Sequence, residues 1–175
     1  PAMYLPAHSP AVLVLKFWGM GSIIQAGPVL RAIREKYPDC RLEFFTLSRN
    51  REIAGMLALL DRVHLLDIDG GMRGFFSSLA VALRDIRSRR PDIVLDLEFF
   101  TRFSAIVTYL TGARQRVGFK AWEKWRGEFL TTGIPFNRYW HVSRNFVNLG
   151  KTIGIPVPEE PALVRPRIPD EARER

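Results

Sequence analysis

The stretch Trp18-Gly19-Met20-Gly21-Ser22 sets two glycines and a hydroxyl between an apolar run and an amphipathic one. Gly19 and Gly21 allow a tight turn and close approach of the backbone to a ligand. The Ser22 hydroxyl can orient a bound group by hydrogen bonding. Glu98 directly follows the fourth apolar run, DIVLDL, and a carboxylate there lies beside the glycine turn if this run and the first are neighbouring strands. The plainer reading of Glu98 is an exposed loop acid. Arg102 and Lys120 follow the fourth and fifth apolar runs and can hold an anionic group, Arg by two parallel N–H bonds. Surface charge is their plainer reading. Trp18, Phe99, Phe100, Trp122 and Trp125 offer ring faces for stacking or for a membrane interface, with core packing as the alternative for Phe99 or Phe100.

Other chemistries are disfavoured. A dinucleotide fingerprint wants a third glycine at position 24, which is Ile24, and an acid after strand two, where Thr46 and Leu47 sit. The phosphate-loop pattern Gly-Lys-Ser/Thr is absent. The single cysteine, Cys40, excludes an internal disulfide, and no Cys/His cluster of zinc type occurs.

The elements that must position these residues alternate between two periods. Ala11 to Leu15 is a short apolar run, the signature of a strand buried on both faces. After the loop from Phe17 to Gln25, Val29, Leu30 and Ile33 fall at helical spacing, and Pro28 suits the helix start. Arg41 to Leu47 predicts strand two, and Ser48 or Asn50 is placed to cap a short helix running to Leu60. Val63 to Leu66 predicts strand three. Phe75 to Arg89 predicts a helix with Phe76, Leu79, Leu83 and Ile86 inward. Its basic end, Arg84 to Arg90, reads first as a solvated helix terminus and second as a contact for anionic lipid headgroups. DIVLDL predicts strand four, Phe103 to Leu110 a helix, and Arg116 to Phe119 a short fifth strand. Lys120 to Trp140 lacks periodicity and is expected to be a long loop. Val142 to Ile153 predicts a last helix with Phe146, Leu149 and Ile153 inward.

This alternation predicts a Rossmann-like doubly wound α/β domain over residues 11–156, with a parallel sheet in the order 3-2-1-4-5. Ligands of such sheets bind at the carboxyl ends of the strands, so the Phe17–Gln25 loop and Glu98 should share one edge. Residues 157–175 are proline-rich and read as a linker. The ending DEARER looks like the start of another helix and suggests a further domain downstream.

The 175 residues are 47% hydrophobic and 25% charged, ordinary for a globular domain with a real core. A net charge of +8 favours an anionic partner. No apolar run reaches the roughly 18–20 residues that span a bilayer.

Several segments in order resemble glycosyltransferase family 9, the lipopolysaccharide heptosyltransferases. They are VLVLKFWGMGSIIQAGPVLRAIREKYPDCRLEFFT, then RVHLLD, RRPDIVLDLEFFTRFSAIVTYLTGARQRVGF and HVSRNFVNLGKTIGIP, spanning roughly Val12 to Pro156. The resemblance implies one half of a GT-B enzyme, an inverting transferase built from two Rossmann-like halves. The matching N-terminal half holds the acceptor, and the other half binds the nucleotide-sugar. It implies transfer of a heptose-like sugar onto an anionic lipid-linked glycan at the cytoplasmic face of the bacterial inner membrane. Peripheral membrane contact is expected, with no metal, no further cofactor and no nucleic acid partner. The acceptor side would be Trp18, Gly19, Met20, Gly21, Arg102, Lys120 and His141, which matches a family position at the start of the last helix. Where the family carries an Asp taken to be the general base, this chain has Ser22. A serine hydroxyl holds its proton too tightly to act as a base unaided, so the expectation is that Glu98 takes the proton and Ser22 orients the acceptor. Without a donor half the chain should be inactive. The competing expectation is a non-catalytic glycan- or nucleotide-binding module of the same fold. A nucleotide-dependent oxidoreductase is disfavoured by the incomplete glycine fingerprint.

Overall fold

Ala11–Leu15 forms β1, and all five of its residues are buried, as a continuous apolar run requires. The computed structural model describes residues 9–120, 125–156 and 163–164. Two helices follow β1 in close succession, α1 (Met20–Gln25) and α2 (Gly27–Lys36). The expected loop at 17–25 is therefore largely a short helix, and only 16–19 remain as a turn. Tyr37, which precedes a proline, leaves the helical region and ends α2.

The remaining elements are β2 (Arg41–Leu47), a 3₁₀ turn (Ser48–Asn50), α3 (Arg51–Gly55), β3 (Arg62–Leu66), α4 (Gly71–Arg89), β4 (Ile93–Asp96), α5 (Arg102–Leu110), β5 (Gln115–Lys120), a second 3₁₀ turn (Trp125–Phe129), β6 (Thr132–Pro135) and α6 (Val142–Lys151). The strands form one sheet in the order β3-β2-β1-β4-β5-β6, each pair parallel. The expected five-strand order holds, and β6 extends it at one edge.

Alternation along the strands divides the core into two layers. Val12, Val14, Leu42, Phe44, Leu95 and Val117 pack with α1, α2, α3 and α6 on one face. Leu13, Leu15, Phe45, Leu66 and Val94 pack with α4 and α5 on the other. Each fully buried Leu or Phe contributes roughly 1.5–3 kcal/mol of transfer free energy.

Three local expectations are corrected. The segment 120–140 is not all loop, because β6 pairs with β5. The α4 stripe is Phe75, Leu79, Ala82, Leu83 and Ile86, while Phe76 is 57% exposed. One helical position is a rotation of about 100°, enough to carry Phe76 off the core face. Neither Ser48 nor Asn50 makes a side-chain cap. Asn50 is instead buried in the sheet edge described below. The proline-rich segment lies mostly outside the described residues, but Val164 is buried against α2, where a Cβ on Gly27 would lie 2.8 Å from the Val164 Cβ.

Candidate functional site at the carboxyl edge of the sheet

The parallel sheet sends the ends of all its strands, and the starts of the helices that follow them, to one edge. There the chain leaving β1 is held by side chains rather than by a ladder. The Phe17 and Trp18 N–H groups both donate to Glu98 Oε1 at 2.8 Å. The Phe17 carbonyl accepts from Asn50 Nδ2 at 2.8 Å, and the Trp18 carbonyl accepts from Lys16 Nζ at 2.5 Å. Lys16 Nζ also donates to Glu98 Oε1 at 2.7 Å. Two consecutive residues, Phe17 and Trp18, thus have both backbone polar groups fixed, by residues from the exits of β1 and β4 and from the 3₁₀ turn after β2.

Lys16 and Glu98 are 1% and 0% exposed. A buried ion pair recovers its desolvation cost only when extra hydrogen bonds complete it, and the two backbone N–H groups supply them on Oε1. The second oxygen, Glu98 Oε2, is buried with no partner among the described residues. Glu98 does lie beside the glycine turn, as its place after β4 predicts. Its surroundings are not those of a solvent-facing loop acid, however, because the carboxylate is fully buried and accepts from Lys16 and the Phe17 and Trp18 N–H groups.

Gly19 then adopts φ 83°, a left-handed value that suits glycine. It starts α1, where the Ser22 N–H donates to the Gly19 carbonyl at 3.0 Å. The Ser22 hydroxyl folds back over Gly19, and a Cβ there would lie 3.1 Å from it. Ser22 is half-buried, whereas Trp18, Met20 and Gly21 are exposed around it.

A second buried network supports the turn from β4. Arg126, from the second 3₁₀ turn, is 0% exposed and donates to Asp96 Oδ2 at 2.5 Å and to Ser104 Oγ at 3.0 Å. It also donates to the Phe119 carbonyl at 2.9 Å and to the Thr101 and Glu98 carbonyls. One guanidinium therefore ties β5 to the 98–101 segment. Burial pushes the Asp96 carboxyl up to about 6, and the Arg126 charge opposes that rise without overcoming it.

Along the same edge stand Arg102, the first residue of α5, and Lys120, the last of β5, both exposed. The Lys120 stem runs across Gly133 of β6, where a Cβ would lie 2.5 Å from Lys120 Cγ. His141 precedes α6 at its cap position, exposed, with Nδ1 2.7 Å from Ser143 Oγ. Phe99 stacks on Phe136 with ring centroids 4.0 Å apart, a packing role, and Phe100 is 46% exposed. Trp122 lies outside the described residues. The structure thus brings Glu98 into contact with the turn and sets Arg102, Lys120 and His141 further along the edge, on the exits of β4, β5 and β6.

Lys16, Asn50 and Arg126 escape the sequence reading. A lysine at one strand exit facing a glutamate at the exit of its neighbour is a signal once the strand order is known. Arg126 lies in an aperiodic segment and carries no such signal. Among the described residues, no group of three or more His, Cys, Asp or Glu could hold a metal ion. No described helix is long and apolar enough to cross a membrane.

No family model matches the sequence, and no characterised protein matches it at a significant level of sequence similarity. Solved structures do share its fold. A glycosyl transferase of family 9 from Veillonella parvula superposes with a TM-score of 0.76 at 17% identity, over 94% of this chain and 46% of that one. The E. coli heptosyltransferase WaaC, solved with ADP-2-deoxy-2-fluoro heptose, gives 0.74 at 17% identity over 86% of this chain and 50% of that one. E. coli ADP-heptose lipopolysaccharide heptosyltransferase II gives 0.72 at 13% identity over 94% and 48%. The chain spans about half the length of these proteins, and its fold is the Rossmann-like one of such GT-B glycosyltransferases.

Proposed function

We propose that this chain is the acceptor-binding half of a glycosyltransferase of the family 9 type, presenting an anionic glycan acceptor at the carboxyl edge of its sheet. The observation that carries this reading is the fold shared with family 9 and heptosyltransferase structures over 86–94% of the chain. The resemblance read from the sequence points the same way. The reaction would be transfer of a heptose-like sugar from a nucleotide-sugar, WaaC having been solved with ADP and with an ADP-heptose analogue. The donor would sit mainly on a second half of comparable size.

Within this reading the chain's residues have distinct tasks. The turn at Trp18–Gly21 forms the floor beneath the acceptor, and the Ser22 hydroxyl orients an acceptor hydroxyl. Arg102 and Lys120 hold anionic groups, with His141 at the far side. Glu98 suits the task of fixing the turn better than that of taking a proton. One oxygen already accepts from three donors, and the side chain has no exposure to an incoming hydroxyl.

That same observation favours a second reading. With Ser22 where the family carries a carboxylate, and with Glu98 enclosed, the Trp18–Ser22 turn offers binding groups without an accessible carboxylate of its own. A non-catalytic glycan-binding module of the same fold would look like this.

Titration of the ¹⁵N-labelled chain with a delipidated lipopolysaccharide core oligosaccharide tests the common part of both readings. Amide shifts at Gly19, Gly21, Lys120 and His141 are expected. Shifts confined to the opposite end of the sheet, or none at millimolar oligosaccharide, would overturn both.

A further inference from the structure

At the other end of the sheet, the C-terminal ends of α4 and α5 lie side by side and enclose an open cavity of about 610 Å³. Arg87, Arg90 and Arg114 line it, together with Asp92, Thr111 and Gly112. No carboxylate pairs with any of the three guanidiniums among the described residues. The one acid in the lining, Asp92, has an oxygen taken by the Ala11 N–H at 2.8 Å. Three positive groups therefore face the cavity against one partly engaged negative group.

Helix termini attract cations, and this accounts for part of the cluster. Arg87 Nε donates to the Leu110 carbonyl at the end of α5 at 2.7 Å. It does not account for Arg90. This residue caps α4 in the left-handed conformation with φ 49°, the only non-glycine residue with positive φ among those described. Glycine is the ordinary occupant of such a position, and an L side chain there costs about 1–2 kcal/mol. The Arg90 side chain makes no hydrogen bond or ion pair among the described residues that would offset this. It is exposed and lines the cavity together with Arg87 and Arg114.

We infer that this cavity binds a phosphoryl anion, either a soluble phosphate or the phosphate of a lipid headgroup. Guanidinium forks match tetrahedral oxyanions through paired N–H bonds. Three of them line one space without acid partners among the described residues, and Arg87 alone has a donor engaged, by the Leu110 carbonyl, so donors remain for a ligand. The site lies across the sheet from the Trp18–Ser22 turn and does not depend on the function proposed for that edge.

The test uses the whole 175-residue chain and pyrophosphate as soluble probe, by calorimetric titration at low salt. The site variant is Arg90→Gly combined with Arg114→Ser. Glycine is the easier residue at φ 49°, so the variant should fold, and its thermal melt checks this. Arg73→Ser with Arg138→Ser removes the same charge elsewhere. Wild type and the charge control should bind pyrophosphate alike, and the site variant should bind at least ~10-fold more weakly, the loss expected when charged hydrogen bonds go. Sedimentation with phosphatidylglycerol and phosphatidylcholine vesicles separates the two sources. Variant-sensitive binding to the anionic vesicles identifies a lipid phosphate, and a pyrophosphate response without it identifies a soluble one. If the site variant and wild type are alike towards both probes, including no binding by either, the inference is wrong.

Discussion

Asp96 and Glu43 are both buried carboxylates with basic partners, yet they are pushed in opposite directions. For Asp96, burial dominates over the attraction of Arg126, and the folded value rises from 3.8 to about 6. For Glu43, burial acts upwards too, but hydrogen bonds from His64 and Arg89 overcome it and the value falls. The signs of their pH effects follow. Between pH 3.8 and about 6 the folded state holds the Asp96 proton more tightly than the unfolded chain does. This group's contribution to stability therefore declines as pH rises through that window, by about 3 kcal/mol in all. The Glu43 contribution is present above its ordinary value and is lost as pH falls through its folded one. Urea unfolding at pH 4, 5, 6 and 7 should show the wild-type advantage over Asp96→Asn shrinking with rising pH. Parallel stability curves for the two proteins would contradict the assignment. Glu98 yields a second residue-scale prediction. Glu98→Ala leaves Lys16 buried without its partner and frees the Phe17 and Trp18 N–H groups, so it should cost about 3–5 kcal/mol. Glu98→Gln keeps an oxygen for the two N–H groups and should cost less. A Glu98→Ala protein within ~0.5 kcal/mol of wild type, the range of ordinary surface changes, would remove the clamp from the account.

The order of strands and helices was legible because each run keeps one period for long enough to be recognised. Ala11–Leu15, Arg41–Leu47 and Ile93–Asp96 are mostly apolar and buried on both faces, and α2 and α6 carry clean helical stripes. The candidate site was legible in outline for the same reason, since it lies where those strands end. What could not be read were contacts made across the fold. Asn50 looks like a cap, and only its neighbours in space show that it holds Phe17. Arg126 sits among aromatics and charges with no period, yet it is wholly buried. Strand β6 was hidden by its composition, because Thr-Gly-Ile-Pro contains the two residues least suited to a strand. It persists because it is an edge, where a proline needs no partner for a missing N–H. Its Gly133 is required by the Lys120 stem, which crosses β6 within 2.5 Å of where a Cβ would be. Gly133→Ala should therefore shift Lys120 and loosen β6, at a cost of about 1–3 kcal/mol. Exchange of the β5–β6 amides, measured with bound and free core oligosaccharide, reads both effects. Unchanged protection and unchanged oligosaccharide affinity would show that Lys120 does not depend on this crossing.

At the scale of the whole molecule, the proposed function gives the chain one side of a two-sided reaction. The chain spans 46–50% of the glycosyltransferases whose fold it shares. Its carboxyl edge presents exposed Trp18 and Met20 at a turn fixed by Glu98, Lys16 and Asn50, with exposed Arg102, Lys120 and His141 further along on the exits of other strands. Rigid support of this kind suits a surface that must hold one reactant in place while another is brought to it. A bound acceptor gains nothing from such an edge unless a donor faces it, since transfer requires the sugar carbon and the attacking hydroxyl within about 3–3.5 Å of each other. The 175-residue chain should accordingly bind a core oligosaccharide and show no turnover of ADP-heptose, with wild-type Ser22 or with Ser22→Asp, because the substitution adds a base and not a donor site. Both outcomes can be read in one experiment, with ¹⁵N spectra for binding and ADP release for transfer. Oligosaccharide-dependent ADP release by this chain alone would show that the donor is bound here too. The division into an acceptor half and a donor half would then have to be abandoned, while the clamp beneath the turn would stand unaffected.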